Sequence, residues 1–112
     1  MNAQPRWQRA RPEQVAALMD RDGLLILDIR DERSFAVGHL SGARYLSNAN
    51  MQETLLSTDK NRPILIYCYH GNASQACASM FADFGFREVY DLIGGYEGWR
   101  AAFSGEEALC PA

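Results

Sequence analysis

The sequence predicts an α/β fold, a mostly parallel central sheet of about five strands with helices on both faces. Three observations predict it. Two apolar runs, residues 24–29 (interrupted only by Asp28) and 64–67, are each closed by polar residues, as in strands buried on both faces of a parallel sheet. Segments with apolar residues at helical spacing alternate with these runs. The 112 residues, 47% of them apolar and 22% charged, suit one domain with one core.

Each element follows in order. Residues 1–11 are polar and basic, with a short edge strand near 7–9. Pro12 suits a first helical position, and Val15, Leu18 and Met19 recur at helical spacing, so a helix is expected over 12–21. Asp22-Gly23 ends it as a turn before the strand over 24–29. Residues 31–37 form a short helical turn stopped by Gly38, and 43–46 a brief strand. Met51, Leu55 and Leu56 fit a short amphipathic helix starting near Asn50. Asn61-Arg62-Pro63 breaks the chain before the strand over 64–67. Beyond 68–73, Cys77, Met80, Phe81 and Phe84 mark the core face of a helix capped by Gly85. Residues 88–91 read as a strand and Gly94-Gly95 as a turn. Tyr96, Trp99 and Phe103, at i, i+3 and i+7, set a last helix against the core. Residues 104–112 read as a tail, so a single domain is expected across 1–112 with its core over 7–103.

Composition excludes several classes. It is not that of a disordered, collagen-like or coiled-coil chain. A net charge of -3 without a Lys/Arg cluster argues against nucleic acid or an anionic membrane as partner. No apolar stretch reaches the length of a membrane span, and no signal-peptide pattern opens the sequence. Three cysteines without a Cys-x-x-Cys do not suggest a disulfide framework or structural zinc, so a reducing, cytoplasmic setting is expected.

In open α/β sheets the ligand site lies at the carboxyl ends of the strands. Two such ends carry unusual residues, Asp28-Ile29-Arg30 and Cys68-Tyr69-His70-Gly71-Asn72. Cys68 follows a buried strand and precedes a helix, and the loop between holds Gly71 and Asn72, the residue types most tolerant of positive φ. Such a loop curls its backbone N–H groups inward as an anion nest, and the helix N-terminus adds its own unpaired donors. A cysteine at the base of the nest is expected as a thiolate, able to attack sulfur, phosphorus or carbonyl carbon. The plainer alternative is a partly buried free cysteine at a strand end.

The motifs carry a resemblance. Cys68-Tyr69-His70-Gly71-Asn72 after Ile64-Leu65-Ile66-Tyr67 resembles the active-site loop of the rhodanese (thiosulfate sulfurtransferase) family, in its short single-domain GlpE type. Leu27-Asp28-Ile29-Arg30-Asp31 resembles the family's Asp-x-Arg strand end. Ser34-Phe35-Ala36-Val37-Gly38-His39-Leu40-Ser41-Gly42-Ala43 resembles its Phe-x-x-Gly-His-Ile-x-Gly-Ala segment, and Gly94-Gly95-Tyr96-Glu97-Gly98-Trp99 its Gly-Gly-x-x-x-Trp signature. The resemblance implies a rhodanese-like fold and sulfur transfer from thiosulfate through a Cys68 persulfide, releasing sulfite. It implies a thiol or cyanide acceptor, a thioredoxin-like protein among the thiol candidates, and no metal or organic cofactor. Tyr69, His70, Gly71, Asn72, Ala73 and Ser74 are then the substrate-binding loop, with Asp28 and Arg30 behind it. Two differences stand out: the loop has no Arg or Lys, and Ala73 occupies a position where relatives often carry Ser or Thr. The related mercaptopyruvate enzymes usually have a Gly-rich loop without Tyr-His, which favours thiosulfate.

The remaining residues have plainer readings. Cys77 reads as packing and Cys110 as an inert thiol in the tail. His39 belongs to a turn-like segment, and no Cys/His spacing supports a metal site. His70 either polarises substrate or shapes the loop. Arg30 reads as a structural partner of Asp28 or Asp31, with a cation near the loop as the alternative. Tyr69 shields the loop, and Tyr96 and Trp99 are core. A phosphatase on the same fold needs Cys-x5-Arg for bidentate phosphoryl contacts, but Ser74 holds that position and no Arg follows before Arg87. A persulfide relay serving a protein partner uses the same Cys68 chemistry and stays open.

Overall fold

The computed structural model describes residues 7–103. The expected tail with Cys110 lies outside the described residues. Along the chain run β1 (Gln8–Ala10), α1 (Pro12–Leu18), β2 (Leu25–Asp28), α2 (Glu32–Val37), β3 (Arg44–Tyr45), α3 (Asn48–Ser57), β4 (Ile64–Tyr67), α4 (Ala73–Asp83), β5 (Val89–Leu92) and α5 (Gly95–Phe103). The strands form one sheet in the order β1-β5-β4-β2-β3, and every pairing is parallel.

Alternation along the strands builds two cores. Leu25, Leu27, Ile64, Ile66 and Val89 meet Leu55, Cys77, Ala78 and Phe81 on one face, under α3 and α4. Ile26, Leu65, Tyr67 and Leu92 meet Val15 on the other, with Phe35, Tyr96 and Trp99 packed against them. All four residues of β2 and all four of β4 are buried, as a strand covered on both faces requires.

Several element boundaries differ from the sequence expectation. The first helix stops at Leu18, short of residue 21, because Asp20 and Arg21 donate to Ala17 and Leu18 in tighter i→i−3 turns. The third helix starts at Asn48, because Ser47 accepts from Ala49 N–H while Asn50 accepts from Ser47 N–H, a reciprocal cap with Asn in place of the usual Glu or Gln. In α4 the buried side chains are Ser74, Cys77, Ala78, Phe81 and Ala82. Met80 and Phe84 lie on the flank, 36% and 47% exposed, because the face is centred on the small Ala78 beside Phe81. Gly85, at φ 98°, then closes α4: its N–H reaches Ala82 O and the Phe86 N–H reaches Phe81 O. The Phe81 and Phe86 rings meet at 5.1 Å, the apolar contact that accompanies this type of helix end.

The winding of the chain places the site. From β2 it proceeds outward to β3, and from β4 it proceeds the other way to β5. The carboxyl ends of β2 and β4 therefore flank the point where the winding reverses, the position at which open α/β sheets leave a crevice. Arg30 and Cys68 follow those two ends.

Candidate active site

Cys68 leaves β4 into a loop whose carbonyls are held outward by neighbouring elements. The first turn of α5 supplies two of the donors: Tyr96 N–H reaches Cys68 O at 2.8 Å and Glu97 N–H reaches Tyr69 O at 3.1 Å. Arg9 Nη2 and Gln75 Nε2 both donate to Gly71 O, at 2.8 and 2.9 Å. Because each peptide is planar and trans, pinning the Tyr69 carbonyl outward turns the His70 N–H the opposite way, toward the sulfur. Gly71 N–H and Ser74 N–H approach the Cys68 sulfur at 3.2 and 3.3 Å.

Two glycines make this approach possible. A Cβ on Gly71 (φ 90°) would sit 2.8 Å from Gly94 N. A Cβ on Gly95 (φ 63°) would sit 2.5 Å from the Tyr69 carbonyl carbon and oxygen. Both positions need a positive φ and no side chain, so α5 can press its first turn against the loop.

The acidity of Cys68 follows from these contacts. Burial pushes the thiol up, but the Ser74 hydroxyl and the N–H groups of Ser74, Gly71 and His70 outweigh it, leaving the pKa below that of an ordinary cysteine. Cys77, the other free cysteine among the described residues, is pushed up to about 12 by burial and by the charge on Cys68.

The structure brings Cys68, Gly71 and Ser74 together in the buried floor of the loop, whereas Tyr69, His70, Asn72 and Ala73 form its exposed rim. Ser74 Oγ lies 3.4 Å from the sulfur; Ala73 does not supply this hydroxyl. The Tyr69 hydroxyl bonds Asp31 and Ser34, tying the rim to the start of α2. Arg30 grips Asp28 through Nε and Nη2 and donates to Gly38 O at 2.6 Å. Its guanidinium lies 4.0 Å from the centre of the Tyr96 ring, with Tyr67 and Tyr69 on its other sides. Of its two suggested partners it takes Asp28, and Asp31 serves α2 and Tyr69 instead.

Arg9, Gln75 and Asp91 were not among the expected site residues. Asp91 is fully buried, accepting from Ser74 Oγ at 2.9 Å and from Arg9 Nε at 2.9 Å. A carboxylate within a short apolar strand is the signal the sequence offers for Asp91, as it is for Asp28. Arg9 carries no local signal, since its partners, Asp91 on the neighbouring strand and Gly71 in the loop, are distant along the chain.

Residues 11–102 match the rhodanese-like domain family. The chain belongs to the rhodanese family. Among curated relatives, a protein named thiosulfate sulfurtransferase GlpE from Ectopseudomonas mendocina is 44% identical over 102 residues, 91% of this chain and 93% of the relative. One of the same name from Pseudomonas aeruginosa is 44% identical over 97 residues, 87% of each chain. The rhodanese fold is seen equally in solved structures. A rhodanese-related protein from Thermoplasma volcanium superposes with a TM-score of 0.74 at 17% identity, covering 85% of this chain and 92% of its own. A rhodanese-like domain protein from Staphylococcus aureus gives 0.71 at 20% identity, covering 82% and 90%.

Proposed function

We propose that this chain is a thiosulfate sulfurtransferase in which Cys68 carries the sulfur. The observation that carries the reading is the cysteine sulfur at the focus of inward N–H groups and one hydroxyl, with its acidity increased despite burial. The Cys68 thiolate attacks the outer sulfur of thiosulfate. A new S–S bond forms to Sγ, the S–S bond of thiosulfate breaks, and its electron pair leaves with sulfite. The product is a Cys68 persulfide anion. An acceptor thiolate then attacks the terminal sulfur, and Cys68 departs as thiolate. Charge balances in both steps without a redox partner.

The loop suits this cycle because each stage is anionic. Donors preset around the sulfur stabilise charge without reorganising, and loss of one such donor typically costs about 10²–10³ in rate. The exposed rim of Tyr69, His70, Asn72 and Ala73 leaves the donor and acceptor an open approach. The acceptor is a thiol, free or on a thioredoxin-like protein, in a reducing cytoplasm that keeps Cys68 from oxidation. Among the described residues no helix is long and apolar enough to cross a membrane.

Intact mass after incubation with thiosulfate tests the proposal. One reducible sulfur atom is expected on the wild type and none on Cys68→Ser. Mass that maps to Cys77 or Cys110 would refute the site. Steady-state turnover with thiosulfate and a small thiol separates an enzyme from a relay that loads but waits for its partner.

A further inference from the structure

We infer that Arg9 and Asp91 are positioning residues for this reaction, deciding which acceptor receives the single hydroxyl proton of Ser74. The inference deepens the sulfur-transfer reading and rests on it for its role in the cycle. Ser74 Oγ stands between two acceptors, Asp91 Oδ2 at 2.9 Å and the Cys68 sulfur at 3.4 Å. Ser74 and Asp91 are fully buried and Cys68 nearly so, so water does not supply the missing donor. One proton cannot serve both.

With Cys68 as a thiol, Ser74 donates to Asp91 and the S–H points at Ser74 Oγ. With Cys68 as a thiolate, the sulfur is the stronger claimant, and Ser74 turns to it. Asp91 tolerates the loss because Arg9 keeps donors on both of its oxygens, Nε on Oδ1 at 2.9 Å and Nη2 on Oδ2 at 3.2 Å. In the persulfide, Sγ is uncharged and the charge sits on the terminal sulfur, so the proton returns to Asp91. Ser74 therefore favours Cys68 as leaving group when the acceptor takes the sulfur. The same Arg9 Nη2 that bonds Asp91 Oδ2 also holds Gly71 O, so one side chain sets both the hydroxyl and the loop.

The test reads the thiol itself, so its failure is distinct from a failure of sulfur transfer, which the mass experiment reports separately. The pH dependence of iodoacetamide alkylation is measured on the full chain in a Cys77→Ala/Cys110→Ser background, where only Cys68 reports. A hydrogen bond of ordinary strength corresponds to about 0.5–1 unit in the midpoint. Ser74→Ala should raise the midpoint by that amount. Asp91→Asn should lower it, because the new amide N–H donates to Ser74 Oγ and frees its proton for the sulfur. Arg9→Gln should raise it, and Arg9→Lys should restore most of the loss. In a Ser74→Ala background the Asp91→Asn and Arg9→Gln shifts should fall by at least about half, the coupling expected of a shared network. A purely architectural role predicts that every variant drifts toward an ordinary thiol. An unchanged or raised midpoint in Asp91→Asn, or undiminished shifts without Ser74, would overturn the inference. If Asp91→Asn does not fold, the Arg9 pair and its coupling to Ser74 decide alone, since Arg9 lies on an edge strand with its side chain 37% exposed.

Discussion

Cys68 and Cys77 are almost equally hidden, 5% and 6% exposed, yet their acidities move in opposite directions. The difference lies in the backbone around each. Cys77 sits inside α4, where N–H groups are committed to the preceding turn, so nothing nearby satisfies a thiolate. Cys68 sits between a strand and a helix, where N–H groups are not yet committed and the loop turns them onto the sulfur. Burial alone makes a cysteine inert; burial beneath unpaired amides makes it a nucleophile.

The largest test of this contrast is exchange of each thiol. Cys68→Ser should lower transfer by more than about three orders of magnitude, as removal of a covalent nucleophile does. Cys77→Ala should retain transfer. Comparable losses in both, measured as thiocyanate formed from thiosulfate and cyanide, would erase the distinction.

A second test makes Cys68 resemble Cys77 without touching it. Gly95→Ala drives a methyl group into the Tyr69 backbone at a positive φ, so the first turn of α5 must retreat from the loop. Stability should fall by about 1–3 kcal/mol, and the Cys68 alkylation midpoint should rise. Gly85→Ala is the control, with φ also positive but open space around the site of the new Cβ. It should lose stability and leave the alkylation midpoint in place.

How far the site could be read from the sequence follows the same boundary between local and distant. The strand over 64–67, Cys68 at its end and Gly71 in the loop were legible because an apolar run, a reactive residue and a flexible residue adjoin in the chain. The start of α3 was obscured because Asn50 stands where a capping box usually has an acid or Gln. The core face of α4 was misplaced because periodicity counts apolar residues, whereas the helix packs through Ser74, Ala78 and Ala82 as well. Arg9 and Asp91 were invisible as a pair because their contact closes over 82 residues of sequence.

Smaller effects sharpen the comparison through pH. Cys77 holds its proton in the native state up to about 12, against about 9 for an ordinary thiol. Above pH 9 the unfolded chain releases that proton and the folded chain does not, so stability falls as pH rises from about 9 toward about 12. Denaturant midpoints across that range should decline less steeply in Cys77→Ala than in the wild type; parallel declines would place Cys77 in a wetter setting than α4 provides. Cys68 has the opposite sign, its lowered pKa adding stability once the pH exceeds the ordinary thiol value.

The smallest effect is expected at the rim. Tyr69→Phe removes the hydroxyl that, with Ser34 N–H, holds the Asp31 carboxyl down at about 2. The stability that Asp31 contributes is present above about pH 4 and fades as pH falls toward 2, so the variant should differ from wild type mainly above that acid range. The Cys68 midpoint should stay fixed, because the Tyr69 hydroxyl reaches α2 and not the sulfur. A shifted midpoint would extend the control of the thiol to the rim.

The pairing of β1 with β5 has a consequence for biosynthesis. Gln8 aligns with Tyr90 and Arg9 with Asp91, so the first and last of the described strands are neighbours. A growing chain exposes Cys68 before it has made Asp91, and closing so long a loop is slow relative to local helix formation. Until that closure the thiol is expected to behave as an ordinary one, less ionised at neutral pH. The full reactivity of Cys68 is therefore expected only after β1 and β5 have paired. Pulsed alkylation during refolding reads it directly: the lowered pH midpoint of Cys68 should emerge only with the final native phase.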